Sequence, residues 1–258
     1  MVYVWILNTN SLTFPSCDTM QFQAFLFDLD GTLINFDPRE FVQLYLGAAS
    51  QFFIDLIPDS HSFIKEILNS TDIMENSDNE LTTALDDFLF DFCPKFKADC
   101  EEIRQRFLTF YETKFDVVKP IIKPVDGAKE LLLDIREKIP DAKIVLATNP
   151  VFPLISIKRR IEWGGLSPGY FDHITHAENS KFCKGNSKYW FEIVDLTNRE
   201  PNKTLVVGND GLRDMSAKKL GFKTFLLEST LENENHITEE TMPDFKGSIK
   251  DLSEILFN

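Results

Sequence analysis

The chain has 258 residues, 43% hydrophobic and 26% charged, with 27 Lys and Arg against 41 Asp and Glu for a net charge of −14. Such a composition buries a sizeable core, which excludes disordered and collagen-like chains and predicts one large domain or two small ones. The acidic balance argues against nucleic acid or an anionic membrane as partner, because that binding rests on Lys and Arg at phosphates. No apolar run approaches the roughly 20 residues of a membrane span.

Residues 1–19 read as an N-terminal extension. Met1–Leu7 is apolar but short, with no basic leader before it and no small-residue cleavage site after it, so it is a poor secretion signal. Cys17, Cys93, Cys100 and Cys183 form no Cys-x-x-Cys pair, and are expected to be free structural thiols of a cytoplasmic protein. A buried strand is predicted over 22–29, broken by Asp30-Gly31-Thr32.

From about Asn35 to Lys123 there is no strand pattern, only helical periodicity that holds 12 of the 24 Phe residues. This reads as a helical module with its own core. Thr71 to Glu80 is polar and acidic, and is expected to be a loop inside it. Beyond it, Val125–Lys138 reads as a helix with Asp126 as candidate N-cap. A strand is predicted over 142–148, ended by Asn149-Pro150. Leu154–Trp163 reads as a helix stopped at Gly164-Gly165, and Asp172–Thr175 as a short strand. Ser187–Leu196 is a third helix, with Tyr189, Trp190, Ile193 and Val194 on one face. Strands follow at 203–208 and 223–227, with a helix at 212–220 between them and an acidic, solvated loop at 231–240. Strands alternating with helices predict an α/β fold with a parallel sheet.

Open parallel sheets bind ligands at the carboxyl ends of their strands. There the sequence gathers Asp28, Asp30, Gly31 and Thr32, then Thr148 and Asn149, then Lys184, and finally Asp210 and Asp214. Carboxylates meeting in one crevice repel and lose hydration unless something compensates. A hard divalent cation does so, and oxygen-only donors suit Mg²⁺.

Asp28-Leu-Asp-Gly-Thr32 after an apolar strand, Thr148 at the next strand end, a distal Lys184 and Gly208-Asn-Asp210 with Asp214 follow one another in order. Across residues 22–228 this set resembles the haloacid dehalogenase-like superfamily, and the helical insertion resembles its C1 cap. The resemblance implies a Rossmann-like core over 20–34 and 124–258 with an inserted all-helical cap over 35–123. It also implies a Mg²⁺-dependent phosphatase for a small phosphorylated metabolite.

Asp28 would attack phosphorus and form an aspartyl-phosphate. Asp30 would protonate the leaving alcohol and then activate water, reaching it through the turn at Gly31 and Thr32. Dehalogenases lack this second Asp, so it favours phosphoryl chemistry. Thr148, with Asn149, would hold phosphate oxygens, and Lys184 would neutralise them. Lys184 is preferred to Lys181 because Lys184–Trp190 resembles the family's Lys-Pro-x-Pro-x-x-aromatic pattern, with Gly185 and Ser187 replacing the prolines. Asp210 would ligate Mg²⁺ with the Asp28 carboxylate and the Asp30 carbonyl, and Asp214 would anchor the lysine or a metal-bound water. Phosphoryl transfer by a mutase is the alternative. A non-catalytic binding protein of this fold would have lost motif residues, and none is lost.

Plainer readings compete at single positions. Asp-Gly is a common turn pair. Thr148 can simply end a strand, and Asp210 and Asp214 can cap a helix. His173 and His176 are expected to be surface or core histidines rather than a zinc pair. Cys183 reads as a bystander thiol, Lys158, Arg159 and Arg160 as a solvated helix face, and the Phe-rich stripe as cap core with some rings facing the substrate.

Overall fold

A computed structural model describes residues 22–257. The expected extension over 1–19, with Cys17, lies outside the described residues. β1 (Ala24–Phe27) is fully buried, and its side chains alternate between two hydrophobic layers. Phe25 and Phe27 face one layer while Leu26 faces the other, as the two-residue period of a strand dictates. β2 (Ile34–Asn35) follows at once.

Four helices come next: α1 (Pro38–Phe52), α2 (Ser60–Glu75), α3 (Ala84–Phe92) and α4 (Cys100–Thr113). Each begins on a side chain that satisfies its first free N–H groups. Asp37, Asp59 and Asp99 cap α1, α2 and α4, and Thr83 with Asp86 forms a capping box on α3. Phe53, Phe63, Phe92, Phe110 and Phe115 are fully buried among them. β3 (Lys123–Pro124) then pairs antiparallel with β2. The segments entering and leaving the helical insertion are therefore tied to each other.

The chain continues through α5 (Ala128–Lys138), β4 (Lys143–Leu146), α6 (Leu154–Trp163), β5 (His173–Ile174) and α7 (Ser187–Thr197). It ends with β6 (Thr204–Gly208), β7 (Lys223–Leu227), β8 (Phe245–Gly247) and α8 (Ile249–Phe257). Six strands form one parallel sheet in the order β5-β4-β1-β6-β7-β8. Residues of α5, α6 and α8 pack in the layer of Phe25, and residues of α7 in the layer of Leu26. β1 lies between β4 and β6, so the order reverses on either side of it and a crevice opens beyond its carboxyl end.

Several expectations need correction. Asp126 does not cap α5; Gly127 does, at φ +79°, a left-handed backbone that glycine adopts without strain. The predicted helix at 212–220 is a 3₁₀ segment, Met215–Leu220, stopped by Gly221 at φ +88°. The loop predicted from Thr71 is helical to Glu75, because Ser70 and Met74 continue the buried face of α2. β8, with only three residues, carries no strand pattern in the sequence.

Cys93 and Cys100 are not free thiols. The short turn between α3 and α4 brings their Cα atoms to 5.2 Å and the sulfurs are bonded. Cys183 is buried and free, and burial pushes its thiol up to about 12, as befits a bystander. No helix among the described residues is long and apolar enough to cross a membrane.

Candidate active site

The sheet places the acidic residues where its hydrogen-bond ladder runs out. Asp28 still donates its N–H to Val207 O at 2.9 Å, so its side chain leaves the very end of β1. Leu33 N and Ile34 N both bond Leu29 O, folding 29–34 into a tight turn. Gly31 sits there at φ +80°, and a Cβ on it would collide with the Asn209 side chain. Glycine is required on both counts. Thr32, fully buried, donates to Asn209 Oδ1 at 3.3 Å.

Lys184 joins the loops chemically. Its ammonium donates to Asp28 Oδ1 at 2.7 Å and to Asp214 Oδ1 at 2.5 Å. Lys184 is 2% exposed and Asp214 1%, whereas Lys181 is exposed. Burial raises the Asp28 carboxyl and pushes Asp214 up to about 6, against the pull of Lys184. Lys184 itself is held above its ordinary value: burial opposes the charge, but the two carboxylates outweigh it. Asp214 Oδ2 also accepts from Asp210 N at 3.0 Å, which fixes the loop after β6. Gly208 belongs to the same packing, since a Cβ there would strike the Asp214 carboxylate.

Asp210 performs part of the plainer role foreseen for it. Its Oδ1 accepts from Leu212 N at 2.8 Å and Arg213 N at 3.0 Å. Thr148 is 3% exposed, and its carbonyl accepts from Thr175 Oγ1 at 2.7 Å and Tyr189 Oη at 3.0 Å. Its hydroxyl makes no hydrogen bond among the described residues. Asn149 is committed to protein partners. Its Nδ2 donates to Glu75 Oε1 at 2.6 Å and its Oδ1 accepts from Lys184 N at 3.1 Å.

Arg160 overturns the expectation of a solvated basic face. It is 1% exposed and its guanidinium pairs with Asp30 Oδ2. The same guanidinium lies 4.7 Å from the Phe152 ring centroid and 5.7 Å from that of Phe41, a favourable placement for a desolvated cation. Lys158 is exposed, as expected. The acidic loop at 231–240 is exposed or half-buried throughout, as expected, but its start and the residue before it are tied to the site. Glu232 exchanges backbone hydrogen bonds of 2.9 Å with Asn209 and Gly211, and Thr230 Oγ1 donates to Gly31 O. His176 bonds Glu178 at 2.7 Å, and His173 lies 3.3 Å from Asn179 Nδ2.

The excess of carboxylate oxygen here is of a kind that suits a hard cation. Asp28 and Asp214 share one ammonium, which leaves an excess negative charge in a buried place. Asp30 Oδ1 is buried with no hydrogen-bond partner among the described residues. Those residues contain no group of three His, Cys, Asp or Glu side chains arranged around a metal position. The donors expected from the sequence are two carboxylates and a main-chain carbonyl. Oxygen donors of this kind suit Mg²⁺.

A parallel α/β sheet with an acid-rich crevice at its switch point, under a helical insertion, defines a class of catalytic domain. The sequence matches the family model for haloacid dehalogenase-like hydrolases over residues 22–220, and the chain belongs to that family. Among solved structures it is similar to a haloacid dehalogenase-type phosphatase from Thermococcus onnurineus, at 18% identity and TM-score 0.56 over 91% of this chain and 98% of that one. A predicted phosphoglycolate phosphatase from Haemophilus somnus is similar at 17% identity and TM-score 0.55, over 91% and 98%. The L-2-haloacid dehalogenase RSc1362 is similar at 14% identity and TM-score 0.54, over 92% and 100%. At these identities the likeness concerns the fold. No curated protein matches the sequence.

Proposed function

We propose that this protein is a Mg²⁺-dependent phosphatase that hydrolyses a small phosphorylated metabolite through an aspartyl-phosphate on Asp28. In this reading residues 20–34 and 124–258 are the catalytic core and 35–123 the cap. The observation that carries it is the buried Asp28–Lys184–Asp214 chain at the end of the central strand, with Asp30 two residues on.

Asp28, oriented by Lys184, attacks phosphorus in line with the leaving oxygen. Asp30 supplies a proton to that oxygen and later takes one from the attacking water. Lys184 and the Thr148 hydroxyl hold the phosphoryl oxygens, while Asp214 keeps Lys184 aimed. Asn149 braces the lysine, its side-chain Oδ1 accepting from Lys184 N. Asp28, the Asp30 carbonyl and Asp210 would hold Mg²⁺, which neutralises phosphoryl charge when bound. Arg160, paired with Asp30 Oδ2, positions the Asp30 carboxyl.

The family also contains enzymes without phosphoryl chemistry, and Asp30 is the residue that favours it here. Asp28→Asn should abolish phosphate release from p-nitrophenyl phosphate, a loss of at least ~10³-fold, with circular dichroism unchanged. Acid quench of the unaltered enzyme should trap a base-labile phosphoryl group on Asp28. Full activity in the variant would end the assignment. Isomerised sugar phosphate instead of free phosphate would point to a mutase.

A further inference from the structure

We propose that the preferred substrate is the phosphate monoester of an apolar alcohol or phenol, its hydrocarbon part buried between the helical insertion and the sheet. This rests on the phosphatase reading above.

A cavity of about 720 Å³ starts at Asp30 and Gly31 and runs under α1 to α4. It therefore opens on the side of the general acid, where a leaving group must sit. The volume lies within the range of pockets that engulf a whole small molecule, roughly 300–1,000 Å³. A two- or three-carbon leaving group would leave most of it unfilled.

Its walls are aromatic and aliphatic, with Phe36, Phe41, Tyr45, Phe88, Phe107 and Phe152 among them. The hydroxyls of Tyr45 and Tyr111 bond each other at 2.9 Å, and burial pushes Tyr45 up to about 12, so the pair stays neutral. A polyhydroxylated leaving group would lose its hydration here and find few partners. An apolar one gains from every methylene removed from water.

The charges agree. Asp30, Glu178 and Glu232 border the cavity, and Arg104 is the sole basic residue among its described lining. Arg104 is already 3.2 Å from Asp86 and 3.8 Å from Glu101. A second phosphate or a carboxylate on the leaving group would meet negative charge and no free cation.

The test is phosphate release from linear alkyl phosphates, ethyl to decyl, and from 1-naphthyl phosphate, against glucose 6-phosphate and glycerol 3-phosphate. p-Nitrophenyl phosphate serves as the activated control. kcat/KM should climb about two- to fourfold per methylene until the cavity is filled. The best apolar ester should exceed glucose 6-phosphate by about a hundredfold or more. A flat series, or preference for the sugar phosphate, overturns the proposal, while turnover of the control keeps the phosphatase reading intact.

If no ester, the control included, releases phosphate, the phosphatase reading falls. Calorimetry with decylphosphonate and ethylphosphonate then judges the cavity by itself. Tighter binding of the longer chain by about a hundredfold supports the apolar site, and equal affinities sink it.

Discussion

At the scale of single residues, Arg160 holds more of the site together than its place in a basic run suggests. It neutralises one oxygen of Asp30 and lies against two aromatic rings that wall the cavity. Losing one partner of a buried ion pair strands the other, though Asp30 keeps some access to water. Arg160→Leu should lower stability by about 2 kcal/mol in denaturant unfolding. It should also reduce kcat by about tenfold or more with a smaller change in KM, because Asp30 loses its orientation. Arg160→Lys should recover stability better than kcat, since an ammonium cannot lie flat against Phe152. Full turnover in Arg160→Leu would remove the residue from the site.

At the scale of elements, the sheet edge depends on one carboxylate. Asp244, just before β8, accepts from Thr224 N at 3.0 Å on β7 and pairs with Lys218 at 2.5 Å and Lys223 at 3.1 Å. Burial opposes its charge, but these partners hold its carboxyl below the usual 3.8. A group lowered on folding stabilises the native state above its unfolded value, and the gain disappears as pH falls through the folded value. Asp244→Asn should therefore lower the melting temperature at pH 7. The gap to the unaltered protein should close progressively below about pH 4. A gap that is constant with pH would mean the partners contribute nothing through charge.

The edge also marks where legibility in the sequence ended. The ends of the central strands were readable, because apolar runs stop abruptly at Asp28, Thr148 and Gly208, and the lysine that reaches Asp28 is Lys184. β8 was not readable, since Phe245-Lys-Gly247 is too short to show a period. Arg160 had a usable signal that its charge concealed. It lies four residues after Ser156 and three after Ile157, both fully buried, so helical spacing puts it on the inner face of α6. Cys93 and Cys100 pair through a turn geometry that spacing alone does not specify.

At the scale of the whole molecule, Glu75 couples the insertion to the site. At the end of α2, its Oε1 accepts from Asn149 Nδ2 at 2.6 Å and from Arg213 Nη2 at 2.9 Å. One residue of the helical insertion thus touches the loop after β4 and the loop after β6, on either side of β1. Glu75→Ala should raise hydrogen exchange at 149–153 and 211–214 with little loss of global stability. It should lower kcat/KM severalfold, because the loops that aim Lys184 and Asp210 lose a common anchor. Unchanged exchange in both loops would show that the sheet alone fixes them.

The central position of β1 has a further consequence during synthesis. Its partners are Lys143–Leu146 on one side and Thr204–Val207 on the other. A growing chain therefore carries this apolar strand with both edges bare for on the order of ten seconds before even the first partner leaves the ribosome. The Phe-rich helices emerge in between, and can settle on near neighbours while the strand waits. Until Thr204–Val207 arrive, at least one edge of this sticky strand, with Asp28 at its tip, stays bare, which is the state most in need of a chaperone.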